Sequence, residues 1–244
     1  MTGVLSRIRK PRHGWVGLLV LLSMPGVLFA AQLVGGTTPK LSGQGLINEL
    51  QKGGYIIYFR HGTTSDFGEK DVEDKVLNDC AIQRNLSAEG QAQTKEIGAA
   101  FRNLHIPIGA VYSSPYCRCL DTAKNIFGKG EKSPALHFAI QLDNAKRVNV
   151  TEQLLDLLGT MPTPGTNVAM VSHTANLQEA VGIWPKPEGV AHIFKPEGKG
   201  QFSYIGMMLP EAWGQEASLA GVGTSASGEK GWFKRIRGVL GNLF

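Results

Sequence analysis

The chain is poor in the residues that would build a metal site. Three cysteines occur in 244 residues, and no Cys-x-x-Cys or His/Cys cluster has zinc spacing, so a structural metal has no ligand set. No glycine-rich phosphate loop and no internal repeat appears, which sets aside P-loop nucleotide enzymes and solenoids. Acidic residues are no more plentiful than basic ones, and the net charge of +5 is carried by the two ends. Residues 1 to 12 hold Arg7, Arg9, Lys10 and Arg12 without an acid, and residues 229 to 244 hold Lys230, Lys234, Arg235 and Arg237 against Glu229. The ends therefore sum to +4 and +3, and the rest of the chain to −2. A near-neutral body excludes a general nucleic-acid surface.

Long apolar runs are also scarce. The longest, Trp15 to Ala31, follows the basic start and is interrupted by Pro25-Gly26 before Ala30-Ala31. Residues 1–35 thus read as a signal peptide or an N-terminal membrane anchor. Either reading makes the protein exported, periplasmic or associated with the inner membrane. At the other end, residues 214–230 have the Gly/Ser/Ala composition of a flexible linker. Residues 231–244 place Trp232, Phe233, Ile236, Val239, Leu240, Leu243 and Phe244 on one side of a helix and Lys234, Arg235 and Arg237 outside it. This basic amphipathic helix is expected to meet a membrane surface, the alternative being a tail helix packed on the domain.

With 244 residues and 42 % hydrophobic content the chain can bury one core, which falls between the ends in residues 44–213. Three segments share one plan, in which an apolar strand meets a polar turn and then a helix. They are Tyr55 to Arg60, Ala110 to Ser113 with a helical run through Ile126, and Asn167 to Val171 followed by Ser172-His173 and a helix toward Val181. Strands alternating with helices predict a mostly parallel sheet, with the three polar turns converging at the strands' carboxyl ends. Further helices are predicted after Ser87, where Ile97, Phe101 and Leu104 recur, and from Val150 to Leu158. Val190 to Phe194 and Gln201 to Leu209 read as two strands joined by a turn over residues 195 to 200.

Arg60-His61-Gly62, Ser113-Ser114-Pro115-x-x-Arg118-x-x-x-Thr122-Ala123 and Ser172-His173, in that order, resemble the histidine phosphatase superfamily, the group that includes phosphoglycerate mutases and acid phosphatases. The resemblance covers about residues 44 to 213. It implies a three-layer α/β/α sandwich and a metal-independent phosphatase without cofactor. His61 would be the nucleophile that becomes a phosphohistidine, with Arg60, Arg118 and His173 around the phosphoryl oxygens. The chemistry is coherent by itself. A transferring phosphoryl group spreads charge over three oxygens and needs preorganised cationic donors, and imidazole is a nucleophile available near neutral pH.

The sequence departs from the pattern at the proton donor. Thr64 fits the small hydroxyl position of the mutase branch, but Phe67 replaces its asparagine, and Thr174 follows His173 where acid phosphatases often carry an aspartate. Glu188, in the loop after the second histidine, is the first candidate for general acid, with Glu152 and Asp66 as alternatives. Without an acid, acyl phosphates, phosphohistidine or pyrophosphates would be favoured. Arg84, on the long connection after the first motif, is a substrate-binding candidate. Cys80 and Cys117 lie near the same face, so a disulfide between them is a possibility that would leave Cys119 over. His13, His105, His137 and His192 have no assigned role.

The expected function is hydrolysis of a small phosphorylated substrate, with envelope lipids and sugars among the classes a membrane-associated tail would favour. A mutase-like phosphotransferase and a catalytically silent phospho-ligand-binding module are the alternatives.

Overall fold

The computed structural model describes residues 31–65, 77 and 79–221. Seven strands form one sheet: β1 (Gln32–Val34), β2 (Ile56–Arg60), β3 (Ile108–Ser113), β4 (Glu131–Lys132), β5 (Asn167–Ser172), β6 (Ala191–Gly198) and β7 (Gln201–Met208). Their order is β1-β7-β6-β2-β5-β3-β4. Only β6 runs against the others, since it pairs antiparallel with both β2 and β7 while the remaining pairs are parallel. Six helices flank the sheet: α1 (Gly43–Lys52), α2 (Ala88–Asn103), α3 (Cys117–Phe127), α4 (Asn144–Gly159), α5 (Thr174–Val181) and α6 (Pro210–Leu219). The fold is the three-layer α/β/α sandwich with a mostly parallel sheet that the strand-helix alternation implies.

The two-residue period of β2 divides the core. Ile57 and Phe59 join the apolar faces of α1, α2, α3 and α6, whereas Ile56 and Tyr58 face Leu154 and Leu158 of α4 and Leu177 of α5. A central strand buried on both faces needs a continuous apolar run, which is what precedes Arg60. The ring of Phe59 lies 5.9 Å from Phe101 and 6.2 Å from Trp213, so truncating it to Ala would cost about 3–5 kcal/mol.

Local signals set several boundaries. Ser87 caps α2 by accepting the Gly90 N–H at 3.0 Å. Asp143 caps α4 by accepting from Lys146 at 2.9 Å, so this helix starts at Asn144 rather than at Val150. The turn between β6 and β7 is tighter than its composition implies. Lys199 and Gly200 both have positive φ, 54° and 75°, and join paired residues Gly198 and Gln201 as a two-residue hairpin. Pro196 is tolerated inside β6 because β2 pairs only as far as Phe194, leaving no second neighbour to ask for its N–H.

Two domain limits differ from the sequence reading. Gln32 to Val34, within the 1–35 leader segment, pair with β7 as an edge strand. The stretch read as linker from residue 214 continues the helix to Leu219, because Trp213 and Ala217 are buried and tie α6 to the core. The apolar run before Ala31, Asp66, Phe67, the remainder of the linker from residue 222 and the 231–244 helix lie outside the described residues. Among the described residues, no helix is long and apolar enough to cross a membrane.

Candidate active site

β2, β3 and β5 end side by side, with Arg60 in register with Ser172 and Ser113 with Val171. Parallel strands bring the residues after their carboxyl ends to one edge. His61 leaves β2 with its N–H on the Ser172 carbonyl at 3.1 Å and its own carbonyl accepting from Gly189 at 2.8 Å. Gly62 must be glycine here: a Cβ would stand 2.6 Å from Cγ2 of Thr94 on α2. Its N–H donates to Thr122 Oγ1 at 3.0 Å, and that hydroxyl donates to the Arg118 carbonyl at 2.7 Å. One threonine thus ties the first motif to the helix that carries the second.

His61 is buried, and its Nδ1 lies 2.9 Å from the Gly62 carbonyl. A carbonyl only accepts, so Nδ1 carries the proton and Nε2 keeps its lone pair. Burial, and then the Arg118 charge, push the His61 imidazole well below its ordinary range, with smaller effects from Arg60 and Arg84. The ring is therefore neutral and nucleophilic at neutral pH.

Arg118 is fully buried in the first turn of α3. Its guanidinium lies over the Tyr116 ring at 4.8 Å and the Phe138 ring at 5.5 Å, donates to the Arg84 carbonyl at 3.4 Å and approaches His173 Nδ1 at 3.2 Å. His173 is likewise buried, 5.6 Å from His61 between ring centroids and 4.5 Å from Phe138. Burial, then Arg118, hold it well below the ordinary histidine range. His173 is thus neutral in this arrangement, rather than the protonated donor that a phosphate ligand calls for.

Glu188 lies in the same pocket. Oε1 accepts from Arg60 at 2.8 Å, Oε2 from the Thr64 N–H at 2.9 Å, and Thr64 Oγ1 lies 3.2 Å from Oε1 and 3.3 Å from Oε2. Arg84 and His61 Nδ1 stand 3.8 and 4.0 Å from Oε1. Both oxygens are acceptors, the bonding pattern of a carboxylate, so a proton-donating role requires a change when substrate enters. Glu152 is exposed on α4.

Cys80 and Cys117 are joined in a disulfide with Cα atoms 5.7 Å apart, and Cys119 is buried outside the bridge. The bridge pins residues 80–84 to the start of α3, where Gln83 Oε1 also accepts the Cys117 N–H at 2.9 Å. Arg84 and Arg118 are thereby held as neighbours. Arg60, His61, Arg84, Arg118, His173 and Glu188 all meet in one pocket. Reasoning from sequence missed Ser114, Thr122, Gln83 and Gln93 as supports. Gln93, which accepts from Thr63 at 3.1 Å and donates to the Glu188 carbonyl at 3.4 Å, gives no local sequence signal because its partners lie on other elements. Among the described residues, no group of three or more His, Cys, Asp or Glu could hold a metal.

No curated protein gives a match to this chain. Among solved structures, the protein histidine phosphatase SixA complexed with tungstate aligns over 64 % of this chain and 97 % of its own at 17 % identity, with a TM-score of 0.47. A phosphoserine phosphatase from Entamoeba histolytica covers 65 % and 98 % at 15 % identity and TM-score 0.43. The ecdysone phosphate phosphatase from Bombix mori covers 64 % and 92 % at 15 % identity and TM-score 0.43. Residues 56–138 match the family model of the histidine phosphatase superfamily (branch 1). The matched segment carries Arg60, His61 and Arg118, and in it this chain is similar to the histidine phosphatase superfamily.

Proposed function

We propose that the protein is a phosphatase that transfers a phosphoryl group to His61 and then to water. The observation that carries this reading is the neutral His61 ring, its Nδ1–H held by Gly62 and its Nε2 lone pair left to attack, beside three guanidinium groups. Arg60, Arg84 and Arg118 against Glu188 leave a charge of +2, which matches a phosphomonoester dianion. In the first step Nε2 bonds phosphorus as the ester P–O bond breaks, and the departing oxygen takes a proton. The ring becomes cationic, and the Gly62 carbonyl stabilises its Nδ1–H. Water then attacks phosphorus, the P–N bond breaks, and the water's proton goes to a base.

Glu188 serves as that acid and base. A phosphoryl dianion that draws Arg60 to itself removes one donor from Glu188 and sets like charge beside it, which favours the protonated carboxyl. Arg118, braced by the neutral His173 ring, holds phosphoryl oxygens, and Arg84 contacts the rest of the substrate. Aryl and alkyl phosphates test the acid. Glu188→Gln should slow alkyl phosphates more than aryl phosphates, and equal losses remove Glu188 from this role. Brief exposure to a phosphorus-labelled aryl phosphate followed by alkaline quench should trap label on His61, and turnover without any labelled enzyme would point to direct attack by water.

The same reading places the protein outside the cytoplasm, supported by the exposed Cys80 in a disulfide and by the leader-like start. The tail from residue 231 would hold it at a membrane surface, near phosphorylated envelope compounds. Liposome binding unchanged by deletion of residues 229–244 would remove the membrane role.

A further inference from the structure

His173 makes its two shortest ring contacts with groups of opposite character. Arg118 Nη2, 3.2 Å from Nδ1, can only donate. Nδ1 must therefore present a lone pair, and the proton of the neutral ring sits on Nε2. Ser114 Oγ, 2.8 Å from Nε2, receives that proton's hydrogen bond. Cys119 Sγ stands farther from Nε2, at 3.6 Å, and a thiol sulfur accepts only weakly. Ser114 is fully buried at the end of β3, and its backbone N–H is fixed on the Val171 carbonyl at 2.8 Å. His173 is held as firmly, by the Phe138 ring at 4.5 Å and by the Tyr58 hydroxyl on its carbonyl at 2.7 Å. The ring has little room to exchange its partners.

We propose that Ser114 is a positioning residue of the phosphate pocket: by accepting the Nε2–H of His173 it selects the tautomer whose Nδ1 lone pair holds Arg118 in place. Without this acceptor the proton can move to Nδ1, where it would face the guanidinium donors and push Arg118 from its seat. His173 then acts, before substrate arrives, as an acceptor that aims an arginine. The consequence for catalysis rests on the phosphatase reading above, whereas the tautomer does not.

The test uses the full chain labelled with ¹⁵N-histidine, with His173 signals assigned by their loss in His173→Asn. At neutral pH the wild-type ring should show Nε2 protonated and Nδ1 bare. Ser114→Ala should shift it toward the Nδ1–H form, weaken inorganic phosphate by roughly 10- to 100-fold, and raise KM for an aryl phosphate far more than it lowers kcat. Ser114→Thr, which keeps the acceptor, should restore the wild-type tautomer. A wild-type ring protonated at Nδ1 overturns the proposal without any variant, and so does a folded Ser114→Ala protein with unchanged tautomer and phosphate affinity. Phosphatase activity that survives His61→Ala would instead defeat the functional reading, leaving the tautomer and phosphate-binding results to judge Ser114.

Discussion

His61 and His173 stand in one pocket, both buried and both held neutral, yet they carry their protons on different nitrogens. The difference comes from what faces Nδ1. A carbonyl accepts from His61, which frees Nε2 for attack, while a guanidinium donates to His173, which turns that ring into a support. A third histidine, His192 on β6, has Nδ1 3.0 Å from the Tyr204 hydroxyl, and burial alone lowers it to about 4. Identical side chains thus take three roles according to one neighbouring group each.

Breaking the His61 side of the comparison should have the largest effect. His61→Ala is expected to lower kcat for an aryl phosphate by roughly 10³-fold or more while the protein keeps its fold, as followed by turnover and circular dichroism.

Removing the bridge that holds Arg84 and Arg118 together comes next. Cys80→Ser with Cys117→Ser reopens a loop of 37 residues' separation, which in the chain-entropy account costs on the order of 4 kcal/mol. Chemical denaturation should read this loss, and KM should rise because Arg118 loses its fixed neighbour. Equal stability with and without reductant would show that the bridge does not constrain the chain.

His192 tests burial without a charged partner. Its folded value lies below the ordinary 6.5, so between about pH 6.5 and 4 the unfolded chain binds the extra proton and stability falls as pH falls. Across that window the loss approaches about 3 kcal/mol. His192→Gln should flatten the dependence, and denaturation midpoints measured from pH 7 to 4 would check it.

The finest distinction concerns His173. The shorter amide of a His173→Asn variant would place its carbonyl near the Nδ1 position and could still accept from Arg118, whereas the amide of His173→Gln reaches the Nε2 position. Phosphate affinity should therefore fall less for Asn than for Gln, by about tenfold between the two, as measured by calorimetry. Equal losses would mean that contact with Arg118 is not what His173 supplies.

Much of the pocket was legible in the chain. Arg60-His61 and Ser172-His173 stand at the ends of apolar runs and Arg118 opens the helix after β3, so the parallel-sheet rule brings them to one edge, which Glu188 reaches because the antiparallel β6 starts there. Gln32–Val34 and residues 214–219 were not legible as part of the domain. Three residues carry no periodic signal, and the helix formers Gln215, Glu216, Ala217 and Leu219 were read together with the Gly/Ser/Ala-rich stretch that follows, although Trp213 and Ala217 tie them to the core. Thr122 stood in the second motif without a role and Gln93 escaped, since each reaches partners 30 or more residues away.

Strand periodicity and the order of the motifs, both local properties of the chain, determined the sandwich, the edge on which chemistry gathers and the residue types there. Tertiary structure decided the protonation of those residues. A histidine's tautomer depends on whether a donor or an acceptor is packed against Nδ1, and its charge on how far water and cations are kept away, and both arise only when distant segments are brought within hydrogen-bond reach.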